Sequence, residues 1–214
     1  MKIAILTSPH QWFMSYVKIL NEKIENSKLF FSHQEIDGQY DIVFILGYHK
    51  VIEKKYRQQH QHNIVVHESA LPRGKGWAPL FWQILEGKNE IVFTMFEASD
   101  EVDNGDVYMQ KTLHFTGYEL NEELRKKQAQ LTIEMCLEFI NNYEKYKLPQ
   151  KQIGEESFYP KRTPKDSKLD INKTIKEQFN LLRIVDNKKY PAFFYKDKKK
   201  YILKIEEIED DMEF

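Results

Sequence analysis

Two residues that can transfer protons, a histidine and an aspartate, follow apolar runs in this 214-residue sequence. His67 comes directly after residues 64–66, and Asp103 lies in a polar turn that follows residues 91–96. An imidazole takes and gives protons near neutral pH, and a carboxylate can fix its tautomer and stabilise the imidazolium. The pair indicates acid–base chemistry, although the spacing alone also fits an ordinary histidine at a strand end.

Segments of strand length alternate with segments of helical periodicity up to about residue 145. Residues 2–6 and 41–46 are the clearest apolar strands, and Trp12, Tyr16 and Leu20 recur at helical spacing between them. This alternation predicts an α/β fold with a doubly wound, mostly parallel, Rossmann-like sheet. Ligands of such sheets bind beyond the carboxyl ends of the strands, which is where we expect His67 to lie.

The composition changes after Pro149, and we predict two regions. Residues 1–148 form the domain that carries the chemistry. Residues 149–214 form a linker, a short helix and a small β-hairpin, whose strands we expect at residues 192–195 and 200–205.

Charge and cysteine usage restrict the class of protein. The sequence has 32 lysines and arginines against 33 aspartates and glutamates, a balance that favours neither nucleic acid nor a membrane surface as partner. No apolar window has the length of a membrane span, and the single cysteine suits a reducing cytoplasm. No metal-ligand spacing, dinucleotide fingerprint or phosphate-binding loop is present in the sequence, so we expect no metal.

A set of positions around the histidine and the aspartate resembles the formyltransferases that use 10-formyltetrahydrofolate. These positions are His67, Ser69, Leu71, Pro72, Gly76, Pro79, Asp103, Gly105 and Asp106. In that family a histidine opens the motif HxSxLPxxxGxxP, and the aspartate of a D-x-G-D turn follows 36 residues later, the interval found here. The resemblance covers roughly residues 40–115.

The resemblance implies roles for the pair and for a loop before it. The histidine would hold the oxyanion of a tetrahedral intermediate, and the aspartate would orient the histidine and manage proton loss from the incoming ammonium. Residues 47–52 resemble the folate-cleft loop of the family. The co-substrate would then be 10-formyltetrahydrofolate, with Tyr48, Val51 and Ile52 on the apolar walls of its slot.

The sequence departs from the family pattern at Val65, where the family has an asparagine two residues before the histidine. That asparagine helps to stabilise the oxyanion, and losing one such donor typically costs on the order of 3 kcal/mol. Asn63 would point to the same face of the strand but lies about 7 Å further along it. We therefore expect protonated His67, a backbone amide or a water to act as the donor.

The C-terminal segment indicates which branch of the family the chain resembles. Residues 151–214 carry 15 lysines and arginines against 13 aspartates and glutamates, whereas an RNA-binding appendage is typically more basic. Residues 159–164 and 166–170 instead resemble nucleotide-sugar N-formyltransferases. Residues 71–77 resemble the short enzymes of that group, which act on UDP-4-amino-4,6-dideoxy sugars of pseudaminic-acid-type routes. The resemblance implies transfer to the 4-amino group of a UDP- or dTDP-linked amino-deoxy sugar.

A nucleotide diphosphate needs cations for its phosphates and a flat apolar surface for its base. We predict Arg73, Lys75 and Arg183 as the substrate-binding cations, with a solvent-facing loop lysine as the alternative for Lys75. The candidate aromatic surfaces are Trp77, Tyr190, Phe193 and Phe194. Core packing is the competing interpretation for each of the four, and it is the favoured one for the tryptophan and for the first phenylalanine.

Two other functions stay open on the sequence. One is formyl transfer to another amine, such as methionyl-tRNA. The other is a non-catalytic module that binds folate or a nucleotide sugar, an alternative that Val65 motivates. The sequence also leaves open a homodimer formed through the hairpin or through the long helix predicted from Leu120 to Phe139.

Overall fold

The computed structural model describes residues 1–208, and within them strands and helices alternate as the apolar periodicity predicts. The strands are β1 (Ile3–Leu6), β2 (Lys28–Phe30), β3 (Ile42–Ile45), β4 (His62–His67), β5 (Lys75–Gly76), β6 (Glu90–Glu97), β7 (Val107–His114), β8 (Phe158–Tyr159), β9 (Ala192–Lys196) and β10 (Lys199–Leu203). The helices are α1 (Met14–Lys23), α2 (Lys54–Arg57), α3 (Pro79–Leu85), α4 (Asn121–Asn141), α5 (Tyr143–Tyr146) and α6 (Phe179–Ile184). Short 3-10 turns occupy His33–Glu35, Pro164–Ser167 and Lys176–Gln178.

The central sheet of residues 1–208 has six strands in the order β2-β1-β3-β4-β6-β7. β1 pairs in parallel with β2 and β3, and β3 pairs in parallel with β4. β6 runs antiparallel to both β4 and β7, so β7 points the same way as the parallel strands. The predicted α/β fold with a mostly parallel sheet is therefore confirmed.

Layers on both faces of the sheet explain why its central strands are continuous apolar runs. Every residue of β1 and β3 is buried, as expected for parallel strands that are covered on both sides. The larger core lies between the sheet and helices α1, α3 and α4, where Leu20, Ile84 and Phe139 are fully buried. A smaller cluster around Tyr40, Val43 and Ile45 covers the opposite face.

The C-terminal segment contains the predicted helix and hairpin and packs against the central α/β unit. β8 pairs with β5, and the main-chain carbonyl of Ile184 accepts a hydrogen bond of 2.8 Å from the Asn121 amide of α4. From its polar and apolar pattern we predict the short helix at residues 174–182, but it begins only at Phe179, because residues 170–178 form turns in which Gln178 donates to the Asp170 carbonyl. The division at residue 148 stays a prediction, and residues 209–214 of its second region lie outside the described residues.

None of the helices within residues 1–208 combines the length and the apolar character needed to cross a membrane.

Candidate active site

The structure brings His67 and Asp103 together at the carboxyl end of β4. His67 Nε2 lies 3.8 Å from Asp103 Oδ2, and both side chains are largely buried. This distance is too long for a direct hydrogen bond, and His67 Nε2 instead pairs at 2.8 Å with the Gly74 carbonyl. The two groups are close enough to interact electrostatically and to share a proton through a small shift or one bridging water.

Two motif glycines explain how the loops around this pair fold. Gly76 has a φ of +98°, and a Cβ there would stand 2.5 Å from the Tyr159 carbonyl oxygen on β8. The Gly76 amide donates a hydrogen bond of 2.8 Å to Asp103 Oδ2. At Gly105 a Cβ would come within 1.5 Å of the Glu97 carbonyl oxygen. Only glycine fits both approaches, so the motif glycines set the position of the Asp103 carboxylate.

Lys75 supports the turn that carries Asp103 and does not reach a substrate cavity. Its side chain is 2% exposed, and its ammonium group donates at 2.7 Å to Asn104 Oδ1 and at 2.5 Å to Glu156 Oε1. Gln152 also donates to the carbonyl oxygens of Asp103 and Gly105. The structure gives no support to a substrate contact of Lys75, because its ammonium group is bonded inside the protein, and that contact stays a prediction. The loop-lysine alternative is wrong for the same reason.

Asn63 does not replace the asparagine that Val65 displaces. The Asn63 amide donates to the Arg57 carbonyl at 3.0 Å and to Glu97 Oε1 at 3.2 Å. Burial raises the pKa of Glu97, although hydrogen bonds from Tyr108 and Asn63 oppose that shift. The Asn63 side chain is thus held in a structural network that extends away from His67.

A cavity of about 710 Å³ opens beside the pair, on the face of the sheet that carries the larger core. Val66 and Glu68, the chain neighbours of His67, line it, and so does Trp77, which follows the glycine bonded to Asp103. Because side chains alternate along a strand, His67 itself points toward the opposite face. The remaining walls come from the loops after β1 and β3, from α3 and α4, and from the C-terminal segment.

The cations of this cavity are residues that the sequence did not single out. Arg125, Lys161, Arg162 and Lys189 line it, together with the carboxylates of Glu68 and Asp186. Their identification requires the tertiary structure, because they come from α4 and from two separate C-terminal turns. Only Lys161 and Arg162 lie in a segment that resembles nucleotide-sugar N-formyltransferases.

Arg183 and Arg73 do not line the cavity. Arg183 is 1% exposed and donates to the Glu119 carbonyl at 3.1 Å and to Glu119 Oε2 at 3.2 Å. The structure gives no support to the predicted substrate contact of Arg183, since the guanidinium is buried in an ion pair that joins α6 to the loop before α4, and that contact stays a prediction. Arg73 is exposed on the β4–β5 loop, and its substrate contact stays a prediction.

Two of the four candidate aromatic residues line the cavity. Trp77 and Tyr190 are 46% and 49% exposed, so core packing is the wrong interpretation for Trp77. The Trp77 ring stacks on His49 with 6.3 Å between centroids, and the Lys161 ammonium lies 4.8 Å from its centroid. Phe193 is 7% exposed and belongs to the core, as its competing interpretation held. Phe194 stacks on Tyr201 in the hairpin.

Two of the three residues predicted for the folate slot, Tyr48 and Ile52, lie on the opposite face of the sheet from the cavity. Tyr48 and Ile52 pack against the smaller cluster, which also receives Val65. The Tyr48 hydroxyl lies 2.8 Å from His33 Nδ1. Val51 is 80% exposed. Tyr48 and Ile52 share a face of the sheet with His67 rather than with Glu68. The folate contact of Tyr48, Val51 and Ile52 stays a prediction.

The formyl transferase family model matches residues 16–140, which is more than half of the chain and includes both His67 and Asp103. The chain belongs to this family. A curated relative, the methionyl-tRNA formyltransferase of Thermodesulfovibrio yellowstonii, is 25% identical over 88% of the chain. The chain spans 61% of that relative and about half of others.

Solved structures of formyltransferases share the fold over nearly the whole chain. The methionyl-tRNA formyltransferase of Clostridium thermocellum superposes with a TM-score of 0.81 at 18% identity, covering 99% of this chain and 96% of that one. A 4-N formyltransferase from Francisella tularensis gives 0.69 at 18% identity, with 97% and 99% covered. HypX from Aquifex aeolicus, solved in complex with tetrahydrofolic acid, gives 0.77 at 18% identity, with 96% and 37% covered.

Proposed function

We propose that this protein transfers a formyl group from 10-formyltetrahydrofolate to the 4-amino group of a nucleotide-linked amino-deoxy sugar. The observation that carries the proposal is the His67–Asp103 pair, at 3.8 Å, beside a cavity of about 710 Å³ lined by cationic and aromatic side chains. Family membership supports the donor, because a structural relative carries tetrahydrofolic acid.

In the proposed reaction His67 and Asp103 catalyse acyl transfer without a covalent enzyme intermediate. The neutral acceptor amine attacks the formyl carbon, and the carbonyl electrons move onto its oxygen. His67 stabilises that oxyanion, and Asp103 accepts the proton that the attacking nitrogen loses. The carbon–nitrogen bond to the folate then breaks, the folate nitrogen gains the proton that Asp103 had accepted, and the products are a formamide and tetrahydrofolate. With Asn63 committed elsewhere, His67 is our candidate for the missing oxyanion donor. In this role its Nε2–H would exchange the Gly74 carbonyl for the oxyanion.

The two substrates approach the end of β4 from opposite faces in this proposal. The acceptor occupies the cavity, where Glu68 adjoins His67 and can attract the amino group as an ammonium. The folate lies along the face of Tyr48, Val51 and Ile52. Val51, and Val102 next to Asp103, are exposed apolar side chains, at 80% and 69%, that suit a folate ring.

The character of the cavity favours a nucleotide sugar over RNA as the acceptor. The C-terminal segment covers the cavity with Lys161, Arg162 and Tyr190, and two carboxylates stand among the cations. A concave site of mixed charge suits one diphosphate better than a polyanionic strand. The second candidate, methionyl-tRNA, is favoured by the sequence relative from Thermodesulfovibrio yellowstonii.

A panel of acceptors tests the proposal. The protein is incubated with 10-formyltetrahydrofolate and, separately, with UDP- and dTDP-4-amino-4,6-dideoxy sugars, methionyl-tRNA and a purine-pathway amine, and tetrahydrofolate release is followed. Turnover with an amino sugar supports the proposal. Turnover with charged tRNA alone contradicts it, and binding of folate or nucleotide sugar without any turnover indicates the non-catalytic module instead. The homodimer, the cytoplasmic location and the identity of the sugar stay predictions.

A further inference from the structure

Two guanidinium groups meet over one aromatic ring in the cavity. The central carbon of Arg125, on α4, lies 4.3 Å from the Phe81 ring centroid, and that of Arg162, in the C-terminal segment, lies 6.0 Å from it. Arg125 also stacks at 4.2 Å on Trp12. The two cations therefore come from parts of the chain far apart in sequence and are fixed by stacking on shared aromatic surfaces.

Within residues 1–208 no carboxylate forms an ion pair with either arginine. The side chain of Arg125 donates to Gln128 Oε1 at 3.2 Å, and that of Arg162 to the Asp166 carbonyl at 3.5 Å. The buried Nε of Arg162 has no hydrogen-bond partner in this part of the chain. Buried donors without partners are costly, so this arrangement is one that a ligand can complete.

The two neighbouring positive charges of Arg125 and Arg162 favour the binding of an anion. Burial lowers the pKa of Arg125 to about 10, and the positive charge of Arg162 acts in the same direction, against Glu68 and Asp186. An anion placed between the two groups would relieve the repulsion and satisfy the free donors. Arginine forks match phosphate oxygens in geometry and bind them through strong, charge-assisted hydrogen bonds.

The surroundings favour a diphosphate carried by a nucleotide over a single small anion. The cavity volume of about 710 Å³ far exceeds that of one phosphate. Tyr190 lines the same space, half-exposed, in a turn that begins at Asp186, a residue whose charge Arg125 senses. The Tyr190 ring can stack on the base of a nucleotide. The Glu68 carboxylate, next to His67 in the chain, can interact with the amino group of the sugar.

We propose that Arg125 and Arg162 form a clamp for the diphosphate of the acceptor, closed across the contact between α4 and the C-terminal segment. The choice of a nucleotide sugar as ligand rests on the proposed function, but the clamp itself predicts diphosphate binding whether or not transfer occurs. The C-terminal segment is then part of the substrate site.

Calorimetric titration with UDP, dTDP, inorganic pyrophosphate and uridine tests the clamp. The wild-type protein should bind UDP or dTDP far more tightly than uridine. Arg162→Gln and Arg125→Gln should each weaken nucleotide diphosphate binding at least about tenfold, because each removes charge-assisted hydrogen bonds. Binding of uridine and of tetrahydrofolate should be unchanged.

Exposed lysines beside each arginine provide matched controls. Lys126→Gln on α4 and Lys165→Gln in the C-terminal segment remove the same charge from the surface and should leave UDP affinity within about twofold of wild type. If Arg125→Gln does not fold by circular dichroism, Arg162→Gln and Arg162→Lys carry the test, since Arg162 lies outside the helices and strands, just before the 3-10 turn at Pro164–Ser167. The lysine variant should recover only part of the affinity, because it lacks the planar fork.

The outcomes separate the clamp from the proposed function. Wild-type affinity for UDP in both arginine variants, or no binding of UDP or dTDP by the wild type, overturns the clamp. An equal loss of UDP affinity in the two lysine controls also overturns the clamp. That result would indicate that UDP is attracted by the overall positive charge of this surface rather than bound by the two arginines. Arginine-dependent UDP binding without formyl transfer to any amino sugar leaves the clamp standing and rejects the proposed function.

Discussion

At the scale of single residues, the proposed chemistry depends on an imidazole that is almost enclosed by backbone. His67 pairs with the Gly74 carbonyl, and Asp103 accepts from the Gly76 amide, so one loop positions both groups. The loop reaches this geometry through glycines at positions where a side chain does not fit. A change at His67 should therefore alter chemistry much more than folding.

We expect His67→Asn to lower turnover by about 10²–10⁴-fold, because asparagine cannot give or take a proton in this pH range. Steady-state rates with the amino sugar, together with a thermal melt, measure both effects. His114→Asn, at an exposed position on β7, serves as the control and should keep normal turnover. Near-native turnover in the His67 variant would remove this residue from the mechanism.

Lys75→Met distinguishes a positioning role from a substrate contact. The ammonium group holds Asn104 and Glu156, so its loss should misplace Asp103 and lower kcat by up to about 100-fold. The KM for the nucleotide sugar should stay the same, because Lys75 does not line the cavity. A large rise in KM with normal kcat would instead restore the phosphate-binding role for Lys75.

The catalytic motif residues could be predicted from the sequence. The cations that line the cavity could not, and neither could the ion pairs of Lys75 and Arg183. His67 and Asp103 stand 36 residues apart, at the interval of the motif that the sequence resembles. Lys75 and Arg183 carry no sequence sign of burial, because their carboxylate partners lie 81 and 64 residues away. Arg125 follows the buried Leu124 on α4. The apolar periodicity predicts this helix and its buried side, but it does not show that a cavity lies beside Arg125.

At the scale of elements, the C-terminal segment packs against the α/β unit through contacts that come from several of its parts. β8 pairs with the loop strand β5, Arg162 lies over α3, and Arg183 of α6 reaches the loop before α4. The sequence predicted the helix and the hairpin of this segment from periodicity. It could not predict their docking, because isolated short elements gain their stability from tertiary packing.

Removing the buried cation of α6 should loosen this docking. We expect Arg183→Met to cost about 3–5 kcal/mol of unfolding free energy, since Glu119 is left buried with one cation fewer. Denaturant unfolding measures the loss. The KM for nucleotide sugar, extrapolated to conditions where the variant is folded, should not change. An unaltered stability combined with a raised KM would show that Arg183 binds substrate after all.

At the scale of the whole molecule, the Glu119 site should make stability depend on pH in acid. Burial disfavours the Glu119 carboxylate, but hydrogen bonds from Lys127 and Thr116 outweigh it and lower the pKa to about 2. A carboxyl whose pKa is lower in the folded state stabilises the fold above its unfolded pKa of about 4.3. That stabilisation is lost progressively as pH falls from there toward 2.

Comparison with Glu119→Gln isolates this contribution from the other carboxylates. The difference in unfolding free energy between wild type and variant should be largest near pH 7 and shrink as pH falls toward 2. Urea unfolding at a series of pH values measures it. A difference that stays constant over the range would contradict the lowered pKa of Glu119.

In the proposed reaction the two substrates reach the end of β4 from opposite faces of the sheet, and the nucleotide sugar occupies the cavity. A competition assay tests this most directly: 10-formyltetrahydrofolate is supplied with equal amounts of a UDP- or dTDP-4-amino-4,6-dideoxy sugar and methionyl-tRNA, and both products are quantified. We predict that the formylated nucleotide sugar dominates and that its formation requires Asp103. Formylmethionyl-tRNA as the main product, or sugar formylation that persists in Asp103→Asn, would contradict the account.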